Sequence, residues 1–268
     1  MSTIEYSRKG SGPSVVLVHG IGHQRSAWGE VFDQLAQDFD VIAVDLPGFG
    51  RSPAPTAPHT WTMDSYVEQL EELFADLGLD RPHVVGNSLG GYFCLQMAAR
   101  GSARSVTALS PAGFWSRFDL ALIATNLIPM KLATYAPMPV LELFARKESL
   151  RKITMRALYV HPERVTEQAA LSDSLNLRRS PGFWPCVWHG LPLRYIGRPV
   201  VPTTIAWGDT DRILSPRHAD RARRGLPMVR HASLRACGHV PMLDDPDEVS
   251  RQVRQTIAEV DAPHILAS

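Results

Sequence analysis

A serine hydroxyl is a weak nucleophile at neutral pH and becomes useful only beside a base whose tautomer a third group holds. Residues able to meet that need stand far apart in this chain: Ser88, His239 and an aspartate, for which Asp209 and Asp211 in Gly208-Asp209-Thr210-Asp211 compete. Ser88 lies in Gly86-Asn87-Ser88-Leu89-Gly90, after the apolar Val84-Val85 and before a helix-forming stretch that runs to about Arg100. Where a strand reverses sharply into a helix, the apex residue is driven toward positive φ and its neighbours two positions away must be small, as Gly86 and Gly90 are. Such a turn holds the hydroxyl clear of the sheet edge. It also sets it beside a helix N-terminus, whose free N–H groups favour developing negative charge.

The elements that must position these groups follow from hydrophobic period and turn residues. Residues 2–8 read as a short edge strand, and Val15 to Val18, Val41 to Val44, Val84-Val85, Ser105 to Leu109, Val200 to Trp207 and Met228 to Leu234 read as further strands. Between them, Trp28, Val31, Phe32 and Leu35, and then Met63 to Leu77, repeat at helical spacing, the second ending at Gly78. A closing helix is capped by Asp245, begins at Pro246 and buries Val249, Val253, Ile257 and Val260; the last few residues are expected to fray. Alternation of strand and helix predicts an α/β fold: a doubly wound, mostly parallel sheet with helices on both faces. In such a sheet the loops after the strand carboxyl ends converge on one crevice, which brings Ser88, Asp211, His239 and the His19-Gly20-Ile21 turn together.

From Phe114 to Arg198 the rhythm changes. Helical stretches at Leu120 to Leu127, Val140 to Lys147, Leu150 to Val160 and Thr166 to Leu177 occur without a central strand, among seven prolines and many Met, Phe and Trp. This reads as a helical cap, residues 114–198, inserted into a core domain of residues 1–113 and 199–268. Trp28, Trp184 and Trp188 serve either substrate contact or packing, and His23 and His189 are read as solvated or structurally bonded. Asp45 is read as support for the Gly48-Phe49-Gly50 loop, and Cys94 and Cys237 as small buried apolar groups.

Composition bounds the partners. The 28 Lys and Arg balance 27 Asp and Glu, which excludes the basic excess of a nucleic-acid binder. Three widely separated cysteines give neither a disulfide framework nor metal-ligand spacing, so reduced thiols and no metal are expected. No signal-peptide core and no bilayer-length apolar run occur, and a soluble cytoplasmic protein is expected. Nothing in the sequence bears on oligomeric state.

His19-Gly20-Ile21-Gly22, Asp45 to Ser52, Gly86 to Gly91, Trp207 to Arg212 and Gly238-His239 stand in the order found in the α/β-hydrolase family, and the chain resembles a capped member of it. The resemblance implies an eight-stranded sheet, Ser88 as nucleophile, Asp211 as the acid and His239 as the base. It implies an oxyanion hole from the backbone N–H groups of Ile21 and Leu89, and no cofactor. The activity implied first is hydrolysis of an apolar or aromatic small-molecule ester through an acyl-enzyme. C–C bond hydrolysis of vinylogous diketones is the second reading, weakened by Gly22-His23-Gln24-Arg25 where those enzymes carry a Gly-Pro-Gly-like extension. Lactonase, acyltransferase and cofactor-free haloperoxidase chemistry share the scaffold, and a ligand-binding protein on it is a third class. Serine at the elbow speaks against dehalogenases and epoxide hydrolases, which use a carboxylate there.

Replacing Ser88 or His239 by alanine is expected to lower ester turnover by roughly four to six orders of magnitude. Near-normal p-nitrophenyl ester turnover in either purified variant is the contrary outcome.

Overall fold

The interior strands are short, and several are buried along their whole length, which is why their sequences run apolar without alternation. In the computed structural model, which describes residues 4–261, the strands are β1 (Tyr6–Lys9), β2 (Ser14–Val18), β3 (Asp40–Val44), β4 (His83–Asn87), β5 (Ser105–Leu109), β6 (Thr203–Gly208) and β7 (Arg230–Leu234). They form one sheet in the order β1-β3-β2-β4-β5-β6-β7, with β1 antiparallel at the edge and every other pair parallel. Seven strands among the described residues replace the eight expected. Seven strand-like runs are present in the sequence and each becomes one strand; the eighth came with the family resemblance alone. Residues 2 and 3 of the expected edge strand, and the C-terminal residues expected to fray, lie outside the described residues.

The pleat sorts the core into two faces. Val16, Val18, Ile42, Val44, Val84 and Val106 point to one side, against α2 (Met63–Asp76), α3 (Leu89–Arg100) and α9 (Pro216–Gly225). Val15, Leu17, Val41, Ala43, Val85 and Ala206 point to the other, against α1 (Gly29–Leu35) and α11 (Pro246–Asp261). The doubly wound α/β reading therefore holds. Because β3 and β4 flank β2 on opposite sides, the chain reverses direction across the sheet between β2 and β4. That reversal opens a crevice beyond the ends of these two strands.

Between β5 and β6 stand α4 (Arg117–Ala133), α5 (Met138–Arg146), α6 (Glu148–Met155), α7 (Glu167–Arg179) and α8 (Phe183–Gly190), with no strand; α10 (Pro241–Asp244) is a single turn after β7. Two of these differ from expectation. α4 continues through Pro129 to Ala133, and α8 forms from Phe-Trp-Pro-Cys-Val-Trp-His-Gly because Pro185 falls within its first turn, where a missing N–H costs nothing. Lys131 of α4, fully buried, donates from Nζ to the carbonyls of Leu177 and Arg178 and so fastens α4 to the end of α7. Among the described residues no helix is long and apolar enough to cross a membrane.

Packing is tight at the junction of β4 and α3. A Cβ on Gly90 would come within 2.2 Å of the Val18 carbonyl oxygen, and one on Gly86 within 2.3 Å of the Gly90 carbonyl oxygen. Both obstacles are backbone, so Gly90→Ala forces β2 and α3 apart and is expected to cost about 2 kcal/mol or more. The corresponding fall in the thermal midpoint, read by circular dichroism, is roughly 5 °C.

Candidate active site

Ser88 sits between β4 and α3 with φ 56° and ψ −114°, a conformation that side chains rarely adopt. The neighbours that hold it there are main-chain groups: its N–H donates to the Leu109 carbonyl at 2.9 Å, and its carbonyl accepts from Tyr92 at 3.1 Å and Ala112 at 2.9 Å. Asn87, just before it, donates from Nδ2 to the carbonyls of Leu109 at 3.2 Å and His239 at 2.9 Å. The residue preceding the elbow thus ties the β4 end to the loop that carries the histidine.

Of the two competing aspartates, Asp209 is exposed and accepts from the Thr210 hydroxyl, whereas Asp211 is buried and lies with Oδ2 2.8 Å from His239 Nδ1. The other carboxylate oxygen accepts from the Ile213 and Leu214 N–H groups, each at 2.8 Å. Both oxygens of Asp211 are thus engaged, and a proton on His239 Nδ1 satisfies the contact with Oδ2, the tautomer in which Nε2 is the acceptor. The His239 loop is held from behind by Asp244, whose carboxylate accepts from Gly238 at 2.8 Å, His161 at 2.8 Å and Val160 at 3.0 Å.

The turn after β2 is held as firmly. His19 donates from Nδ1 to the Gly20 carbonyl at 2.7 Å and accepts at Nε2 from Leu46 N–H at 3.0 Å, and burial pushes its pKa below the usual value, so it is a neutral brace. A Cβ on Gly20 would meet the Ser88 Cβ at 3.0 Å, which shows how closely this turn approaches the elbow. Leu89 opens α3, where an N–H has no acceptor within the helix. Among the described residues neither its N–H nor that of Ile21 finds an acceptor. Asp45 accepts from Arg25 N–H at 2.6 Å and Arg51 N–H at 2.9 Å, and so supports the Gly-Phe-Gly loop as read from the sequence.

Ser88, His239, Ile21 and Leu89 line a single cavity of about 500 Å³; Asp211 stands behind His239. The walls are mostly apolar, contributed by α4, α5, α7 and α8 as well as the strand ends. His23 also lines it, against the expectation of a solvated or structurally bonded ring. Burial first, and the nearby His19 and His239 second, push its pKa down to about 3, so it is a neutral group facing the cavity. His189 is exposed, Trp28 is core, and Trp184 and Trp188 lie on the surface away from the cavity. The aromatic wall is made by Trp115, Phe144 and Phe183 instead. Burial raises the thiols of Cys94, Cys186 and Cys237, the last two to about 12, which leaves them inert. Among the described residues no cluster of His, Cys, Asp or Glu is placed to hold a metal ion.

Two residues of α7 that the sequence did not single out bear on this site. Asn176 donates from Nδ2 to the Gly22 and His23 carbonyls at 2.9 and 3.0 Å, while its Oδ1 accepts from Gly50 N–H at 2.9 Å. Asp173 lines the cavity with Gln24 as its hydrogen-bond partner, and burial pushes its carboxyl up to about 6.

A family model described as alpha/beta hydrolase fold matches residues 13–246. Lipase 3 of Moraxella sp. is 25% identical over 256 residues, spanning 87% of this chain and 74% of its own. An epoxide hydrolase of Mycobacterium tuberculosis is 27% identical over 212 residues, 75% of this chain and 97% of its own. The structure of a meta-cleavage product hydrolase from Pseudomonas fluorescens superposes with a TM-score of 0.74 at 22% identity, covering 96% of this chain and 94% of that one.

The raised Asp173 carboxyl has a measurable consequence for stability. Because its folded value of about 6 lies above the ordinary 3.8, the folded protein holds the proton more tightly than the unfolded chain. That contribution is complete below the ordinary value and is lost as pH rises through 6, on the order of 3 kcal/mol in all. Asp173→Asn, which cannot ionise, is therefore expected to be more stable than the parent protein by about 1–3 kcal/mol at pH 8 and nearly equal to it at pH 4. Urea unfolding at both pH values reads the difference; an equal effect at the two would contradict the assignment.

Proposed function

The chain belongs to the α/β-hydrolase fold family, and we propose that within it the protein hydrolyses carboxylic esters of mostly apolar small molecules through an acyl-enzyme on Ser88. The observation that carries this reading is the opening of a strained serine elbow into the same apolar cavity as His239, whose Nδ1 is held by a buried carboxylate. In the proposed reaction Ser88 Oγ attacks the ester carbonyl as His239 Nε2 takes its proton. Asp211 keeps the imidazole in the right tautomer and stabilises its charged form. The oxyanion is received by the Ile21 and Leu89 N–H groups, each worth about 2.7 to 4 kcal/mol to the transition state. His239 returns the proton to the leaving alcohol, and water activated by the same base frees the acid.

Residues 114–198 act as the cap over a core of residues 1–113 and 199–268, and its apolar wall sets the preference for uncharged acyl groups. Epoxide opening, named for one relative, uses in the related enzymes a carboxylate where this chain has Ser88. A purely ligand-binding role has no need of a serine and a histidine on one cavity with a buried acid behind the histidine.

Each methylene buried in such a wall contributes up to about 0.8 kcal/mol. The p-nitrophenyl hexanoate and octanoate esters are accordingly expected to exceed the acetate in kcat/KM by roughly tenfold or more, and a serine-directed fluorophosphonate is expected to label Ser88. Preference for short charged esters, or turnover of a vinylogous diketone in place of esters, would count against the proposal.

A further inference from the structure

The face that α7 turns to the cavity is Ala170, Asp173, Ser174 and Leu177, a helical i, i+3, i+4, i+7 stripe. Among the described cavity-lining residues Asp173 is the single Asp, Glu, Lys or Arg. It is surrounded by protein and yet keeps accessible surface, because that surface is cavity wall. Burial and the Gln24 side chain act most strongly on its carboxyl, and the buried Tyr159 lies close enough to feel its charge. A carboxylate has about four acceptor positions, more than the one Gln24 amide can fill. The esterase chemistry leaves Asp173 unused, since Asp211 partners the base.

We propose that Asp173 is the recognition point for a hydroxyl group on the substrate, so that the preferred esters are apolar chains carrying one hydrogen-bond donor in the part that lies against α7. This rests on the esterase reading and narrows its substrate class. A hydroxyl is preferred over an ammonium because an ammonium brings three donors and a full hydration shell to a wall otherwise lined chiefly by apolar groups. The position is also fixed relative to the reacting serine. Asn176, one turn along α7, is bonded to Gly22 and His23, and Gln24 reaches both Asp173 and Ser172, so α7 and the Ile21 turn form one unit. Asp173 therefore sets the register in which a bound chain presents its carbonyl to Ser88.

The test compares p-nitrophenyl hexanoate with its 3-hydroxy, 6-hydroxy and 6-amino derivatives. In the parent protein one hydroxy ester is expected to exceed the hexanoate in kcat/KM by roughly tenfold or more, a charge-assisted bond being of that strength. The advantage is expected to shrink in Asp173→Asn and to vanish or invert in Asp173→Leu, with circular dichroism confirming that both variants fold. A uniform preference for the unsubstituted ester, a ratio unmoved by either variant, or the amino ester ranking first would each overturn the proposal. A second arm separates this failure from failure of the esterase reading. In Ser88→Ala protein, methyl 6-hydroxyhexanoate and methyl 3-hydroxyhexanoate are titrated against methyl hexanoate by calorimetry. Tighter binding of a hydroxy compound by fivefold or more, lost on adding Asp173→Asn, supports the proposal even where no ester is turned over; equal binding of all three overturns it.

Discussion

The site depends on one close approach of main chain to main chain. Gly90, in the first turn of α3, packs so tightly against the carbonyls of Val18 and His19 that a single methyl group would collide with both. That approach sets the end of β2 against the start of α3, and so puts the turn containing Ile21 within reach of Ser88. It is also what holds Ser88 at positive φ, because the chain must enter α3 without room for a gentler bend. The strain at the elbow persists because hydrogen bonds to Leu109, Tyr92 and Ala112 over-determine it.

Around this junction the helices between β5 and β6 grip both halves of the site. Asn176 of α7 holds the carbonyls of Gly22 and His23, and a Cβ on Gly22 would strike the Leu177 side chain, so α7 seats directly on the turn that carries Ile21. On the other side, Asp244 bonds Val160, His161 and Gly238, and the Leu158 carbonyl accepts from Val240. The segment after α6 is thereby fastened to the loop that carries His239. A displacement of these helices as a body would disturb the N–H donors and the histidine together. The helices that wall the cavity and the arrangement of its polar groups are therefore mechanically joined in this protein.

The parts legible in the sequence are those fixed by local rules. Strand ends carrying Gly-x-Ser-x-Gly, the Gly-x-x-Asp turn and Gly-His announce themselves because turn geometry constrains neighbours within a few residues, and the helix beginning at Pro246 declares its cap and buried face. α8 was not visible, since its aromatic residues and Pro185 obscure helical period over eight residues. Asn176, Asp173 and Asp244 were not visible for a different reason. Each acts through partners far away in the chain, as Asn176 does on Gly22 and His23, and a polar residue on an amphipathic helix ordinarily faces solvent. The cavity-lining place of His23, one of the two readings its sequence allows, is hidden on the same ground: its environment is created by α7, some 150 residues later.

The buried carboxylates show which polar group the fold itself does not satisfy. Asp45 accepts from two main-chain N–H groups and a guanidinium, Asp211 from two N–H groups and an imidazole, and Asp244 from three N–H groups. In each the donors are part of the framework, and the carboxylate organises a loop. Asp173 differs: its side-chain partner is the Gln24 amide, burial raises its pKa, and it lines the cavity. A carboxyl whose pKa is raised by burial costs the folded protein stability at neutral pH. Donors absent from the framework are supplied only by what enters the cavity, and water or a substrate hydroxyl fills that role. The hydroxyl has the advantage once the apolar part of the substrate has displaced the water that would otherwise compete with it.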